Sequence, residues 1–75
     1  MNEKLISTAA RIFGLVEGQV TMDSTPKNTK NWDSLGHMRL ILETEEIFGV
    51  EFDEDEITSI VDIRTLAAAI ETHRN

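Results

Sequence analysis

An all-α fold, a four-helix bundle with three longer helices, a short third helix and a long first loop, is predicted for this chain by three observations. Apolar residues recur at helical spacing in separate stretches. A long polar segment between the first two stretches holds the only proline, and no cysteine is present to staple any other architecture. Seventy-five residues make one expected domain, spanning 1–75, whose single core is only marginally sufficient for stability. Helix packing has to supply what disulfides or thiolate metal sites cannot.

The first helix is expected from about residue 3 to 16, where Leu5, Ile6, Ala9, Ile12, Phe13 and Val16 share one arc. Asn2 is its expected cap, and Gly18 lies just beyond its end as the expected stop. Lys4, Ser7, Thr8 and Arg11 fall on or near the solvated side. Residues 17–33 carry little periodicity and read as a loop. Such length is uncommon in a compact domain unless the loop is functional or disordered. Val20, Met22 and Trp32 are the expected anchors over the helices. For Trp32, packing is favoured over a role as a partner contact.

The second helix, 34–48, has two apolar arcs when residues are advanced 100° apiece. Leu40, Ile41, Thr44, Ile47 and Phe48 form a broad stripe suited to a core. Leu35, Met38 and Leu42 gather nearly opposite, bordered by Arg39 and Glu46 on one side and Glu45 on the other. So small a protein cannot easily bury both arcs, so the second is expected to face solvent as a charge-rimmed docking strip. Neighbouring helices wrapping both sides is the alternative. Asp33 or Ser34 can cap the start of this helix by accepting from its unpaired amides.

Gly49 supplies a stop, and Val50, Glu51 and Phe52 read as a short extended link with the apolar side chains inward. The acidic run Asp53 to Glu56 opens a short third helix, 54–60, where acids suit the N-terminal end. Asp53 and Asp55 match the first ligand spacings of a calcium loop, but the glycine position holds Thr58 and the twelfth position Arg64. The template therefore fails. The last helix, 63–73, begins after Asp62, a plausible cap, and aligns Ile63, Leu66, Ala67 and Ile70 on one face. The small Ala67, Ala68 and Ala69 permit close approach of another helix.

Fourteen acids against seven bases give a formal net charge of −7. Nucleic acid would be repelled and basic protein surfaces attracted, and Lys27 and Lys30 make no compensating patch. The N-terminal segment carries Glu3, Lys4 and Arg11 among its apolar residues, unlike a signal peptide or a span, so a cytoplasmic, monomeric protein without membrane insertion is expected. Ser34, His37 and Asp33 superficially suggest a hydrolase triad. Residues so close on one helix do not supply the required geometry, and no Gly-x-Ser-x-Gly elbow surrounds Ser34. No enzymatic activity and no metal site are expected, and His37 is read as hydrogen-bonded within the fold.

Trp32-Asp33-Ser34-Leu35 after a long polar loop, heading a helix with an acid-rimmed second apolar face, resembles the acyl carrier protein family. Its related peptidyl carrier domains share the Asp-Ser-Leu signature at the head of the second helix. The resemblance covers nearly the whole chain and implies that Ser34, flanked by Asp33 and Leu35, is the attachment point for 4'-phosphopantetheine. A magnesium-dependent phosphopantetheinyl transferase would donate the arm from coenzyme A. Partner enzymes with basic docking surfaces would then meet Leu35, Met38, Arg39 and Leu42, steered by Glu43, Glu45, Glu46, Asp53 and Glu54. Gly36 and Arg39 stand where fatty-acid carriers usually have acids, which favours a specialised polyketide, nonribosomal peptide or other acyl-modification pathway. Thr44 stands where a larger apolar residue is common, leaving room for a bound chain or packing less tightly. An aminoacyl or peptidyl carrier, or an acidic helical adaptor that binds partners through Leu35 and Met38 and carries nothing, are the alternatives.

Overall fold

The computed structural model describes residues 1–74. Four helices follow one another: α1 (Asn2–Phe13), α2 (Ser34–Phe48), α3 (Glu54–Ser59) and α4 (Ile63–His73), with one 3₁₀ turn at Glu17–Gln19. No strand occurs among the described residues, so the fold is the all-α four-helix arrangement that the sequence predicts.

The first helix is shorter than the expected span of 3–16. Gly14 adopts a left-handed φ of 69°, and the N–H groups of Gly14 and Leu15 return to Arg11 O at 3.2 Å and Ala10 O at 2.8 Å. A residue without Cβ makes this turn at no steric cost, so Gly14 and not Gly18 ends the helix. Val16 consequently lies outside α1 and is 68% exposed, while Gly18 sits in the 3₁₀ turn. Asn2 is the first helical residue rather than a cap, and Met1 before it makes no side-chain capping bond. Thr8, expected outside, is buried. Its hydroxyl is satisfied within the helix by donating to Lys4 O at 2.8 Å.

The long connection is tied down at several points. Its turns are closed by their own polar side chains: Thr21 N–H donates to Ser24 Oγ at 2.8 Å, and Thr25 N–H to Asn28 Oδ1 at 2.8 Å. Two of its carbonyls then serve α4, since Ile63 N–H donates to Ser24 O at 3.2 Å and Arg64 N–H to Met22 O at 2.9 Å. Those amides lie in the first turn of α4 and have no partner inside their own helix, so the loop completes a helix end. Asp62 caps the same end by accepting from Thr65 N–H at 2.7 Å. Val20 and Trp32 are buried and Met22 packs partly buried against the core, which makes all three the anchors expected of them.

Leu5, Phe13, Leu40, Ile41, Ile63, Leu66 and Ile70 form the centre of one continuous core. On α2 the expected stripe is graded rather than uniform. Leu40, Ile41 and Thr44 are fully buried, whereas Ile47 and Phe48 are only half-buried, the latter with Lys4 Nζ 5.7 Å from its ring centre. The opposite arc is solvent-facing: Leu35 is 65%, Leu42 60% and Met38 42% exposed. α3 buries none of its own residues and ends at Ser59, one residue short of the expected 60, because Ile60 turns extended.

Candidate functional site

Asp33, not Ser34, is the N-cap of α2. Its Oδ1 accepts from Gly36 N–H at 2.8 Å, and its carbonyl accepts from His37 N–H at 2.7 Å. Ser34 is therefore the first helical residue, exposed, with its hydroxyl not engaged in capping. The amides of Ser34 and Leu35 lie where a helix has no internal acceptors and where its dipole favours negative charge.

The head of α2 is held from three directions. Trp32 is buried and stacks on Phe13 of α1 at 5.4 Å between ring centres, and on His37 at 6.1 Å. Trp32 Nε1–H donates to His37 Nδ1 at 3.0 Å, and His37 Nε2 meets Ile57 O of α3 at 3.0 Å. An indole nitrogen only donates, so Nδ1 must be the acceptor and the imidazole carries its proton on Nε2. His37 thus joins α2 to α3 as a structural bond, in agreement with the reading of it as a histidine satisfied within the fold. Asn31 supplies the third tether, donating from Nδ2 to Phe13 O at 2.7 Å while holding a positive φ of 70°.

Gly36 has a role that the sequence reading missed. A Cβ on it would collide with Asn31 O and come within 3.2 Å of a Phe13 ring carbon. Its place in the sequence, two residues past Ser34 in the first turn of a helix, is the available signal, because glycine within a helix is unfavourable unless something approaches closely.

Beside Ser34 opens a groove of about 610 Å³ walled by Pro26, Trp32, Met38, Ile60 and Val61. Val61, 54% exposed, joins the apolar strip of Leu35, Met38 and Leu42 from the α3–α4 link, and Pro26 joins from the long connection. Neither stands among the predicted site residues. The adjacent apolar pair Ile60-Val61 carried the signal: in an extended segment successive side chains point opposite ways, and Ile60 is the buried one.

The acidic residues divide into committed and uncommitted ones. Glu43 accepts from Arg11 Nη2 at 3.0 Å, Glu45 accepts from Phe52 N–H at 2.9 Å, and Asp53 caps α3 by accepting from Glu56 N–H at 2.8 Å. Glu45, expected as a steering acid, is half-buried and also closes the α2–α3 link. Glu46 and Glu54 are exposed, as is Arg39 on the α1 side of the strip. Glu56 completes the α3 cap and bonds His73 Nε2 at 2.6 Å. Its carboxyl is held below the usual glutamate range, first by the Asp53 N–H and then by His73. Asp62 is likewise held below the usual aspartate range by the Thr65 N–H and hydroxyl.

Among the described residues, no group of three His, Cys, Asp or Glu side chains converges on a metal position. No helix among them is long and apolar enough to cross a membrane. The arrangement is an exposed hydroxyl at an electropositive helix end, beside an apolar groove and strip. No protein-family model matches the chain. It is 33% identical over 57 residues to the acyl carrier protein of Coprothermobacter proteolyticus, an alignment covering 76% of this chain and 70% of that protein. On that similarity, the chain belongs to the acyl carrier protein family.

Proposed function

We propose that this protein is a carrier without catalytic activity of its own, modified at Ser34 with 4'-phosphopantetheine and recognised through the strip that begins at Leu35. The observation that carries the reading is the state of Ser34 in a member of this family: exposed at the first position of α2, with its capping role taken by Asp33. The residues present fit the group. The unpaired amides of Ser34 and Leu35 favour a phosphodiester at that hydroxyl, and Pro26, Met38 and Val61 offer apolar surface to the arm. When bound, the group supplies the thiol that the chain lacks, on which an acyl or aminoacyl cargo is held as a thioester.

The partners in this reading are a phosphopantetheinyl transferase and the enzymes that load and process the cargo. Leu35, Met38 and Leu42 provide the apolar contact; Glu46 and Glu54 attract basic surfaces. Arg39 and Gly36 favour a specialised lipid, polyketide or related pathway. Gly36 has a structural reason of its own, so Arg39 carries more of that inference.

Intact mass tests the proposal. Incubation with coenzyme A, magnesium and a broad-specificity transferase should add one phosphopantetheine to the wild type and none to Ser34→Ala. A wild type left unmodified under conditions that load a control carrier would support the adaptor reading, in which the same strip binds partners and nothing is attached.

A further inference from the structure

A group attached to Ser34 has two places to lie: the groove that Ser34 itself lines, or the interior behind it. Counted at about 100° per residue, His37 sits between Leu40 and Ile41 around α2 and about one turn nearer Ser34. A chain passing from Ser34 toward the core along that side of α2 meets His37 first. Both ring nitrogens of His37 are committed across this seam: Nδ1 accepts from Trp32 Nε1–H at 3.0 Å, and Nε2–H donates to Ile57 O of α3 at 3.0 Å. α3 buries none of its own residues, and among the described residues the hydrogen bonds of His37 and His73 are what fasten it to α2 and α4. Parting α2 from α3 at this point would leave the indole N–H of buried Trp32 without its acceptor, and a buried donor left unpaired is costly. The space behind the seam is already filled: Trp32 stacks on Phe13, Ile60 is buried, and Leu40, Ile41, Leu66 and Ile70 are fully buried.

The groove is the other place. Ser34 belongs to its lining, Trp32, His37 and Ile60 form its inner side, and the exposed Met38 and Val61 are walls open to water. A cargo lying there is covered on one side only. A short acyl or aminoacyl group has little apolar surface to lose by that, whereas a long alkyl chain would keep much of its surface wet.

We propose that His37 is a bolt that keeps the cargo outside the bundle, in the groove beside Ser34, and so suits this carrier to short acyl or aminoacyl groups rather than long alkyl chains. The inference rests on the carrier reading above and adds the chemical class of the cargo. His37 is then a specificity-determining residue that acts by holding Trp32 and α3 together, with no contact to the reacting thioester required of it.

Wild type is loaded at Ser34 from acetyl-, octanoyl- or dodecanoyl-coenzyme A by a broad-specificity transferase, verified by intact mass, and compared by thermal melting. The three forms should melt within about 2 °C of one another, because each methylene drawn into the core would instead add roughly 3 to 6 °C in a chain of this size. Between the acetyl and octanoyl forms, amide resonances should move at Met38 and Val61 and stay in place at Leu66 and Ile70. His37→Ala withdraws the bolt, and its Tm should climb with chain length. His37→Asn, whose side-chain oxygen can still accept from Trp32 while Ile57 O is released, should do the same and serves if His37→Ala does not fold. A wild-type Tm that climbs with chain length overturns the proposal, as does movement at Leu66 and Ile70, or a folded His37 variant as indifferent to chain length as the wild type. A wild type whose mass shows no loading from any of the three overturns the carrier reading and this inference with it, whereas loading followed by melting that depends on chain length overturns this inference alone.

Discussion

A hydroxyl at a helix start has ready partners in the unpaired amides of the first turn, and what sets Ser34 apart is that Asp33 fills that role instead. Ser34→Ala should therefore melt within about 0.5 kcal/mol of the wild type, the range of ordinary surface substitutions, while losing all loading. Gross unfolding of this variant in circular dichroism would make Ser34 structural first. Gly36 behaves oppositely. Alanine normally strengthens a helix, but here its methyl meets the backbone of Asn31 and the ring of Phe13. Gly36→Ala should destabilise by roughly 1 to 3 kcal/mol in urea denaturation, as overpacking does; a stabilised variant would show that the Asn31 turn yields freely. The Asp-Ser-Leu signature was legible because it is local. The demand on Gly36 was not, because it is imposed by a carbonyl five residues earlier in a turn whose positive φ falls on asparagine rather than on glycine.

At the scale of elements, local chemistry wrote most helix boundaries into the sequence and periodicity blurred one. Gly49, Asp53 and Asp62 mark ends by capping, and the structure uses each of them. α1 was overrun because Val16 continues the apolar spacing past Gly14, and spacing alone cannot register that the backbone has already turned left-handed. The capping carboxylates also set a pH dependence. Asp62 has a folded-state pKa below its unfolded value, so its stabilisation is fully present above the unfolded value and is lost as pH falls through the folded one. Asp62→Asn keeps an acceptor but not the charge. The gap in Tm between wild type and Asp62→Asn should be widest near neutral pH and close as the pH drops below the usual carboxylate range. A gap that stays constant across that range would mean that the charge of Asp62 does nothing for the fold.

At the scale of the whole molecule, a chain of net charge −7 keeps an apolar strip on its surface next to Ser34. In the carrier reading, an excess of negative charge over the surface would draw basic partners and deter self-association, and the strip would provide the contact once they meet. Glu46→Lys tests the first half, since Glu46 is exposed and Glu45 is tied to Phe52 N–H. Loading by a transferase with a basic surface should slow at low salt and recover toward the wild-type rate as salt rises; equal rates at low salt would remove the steering role.

The division of α2 into an inner and an outer face is what lets one helix hold the fold together and present Ser34 at once, and two leucines of that helix test it directly. Leu40 is completely buried in the core and Leu42 is 60% exposed on the strip, so the same substitution two residues apart should have opposite consequences. Leu40→Ala removes a packed side chain from a site ringed by helices and should cost about 2 to 5 kcal/mol. A single core in a chain this short supplies only roughly 3 to 5 kcal/mol in total, so that variant should be largely unfolded at room temperature. Leu42→Ala removes the same atoms from surface already in water and should change stability by about 0.5 kcal/mol or less. Its effect should fall on association, with slower loading of Ser34 by the transferase. Thermal melts and loading rates measured on both variants decide the matter. If Leu42→Ala melts as low as Leu40→Ala, the outer face is structural and no docking strip exists; if it melts like the wild type and loads as fast, the strip is exposed but is not where the transferase binds.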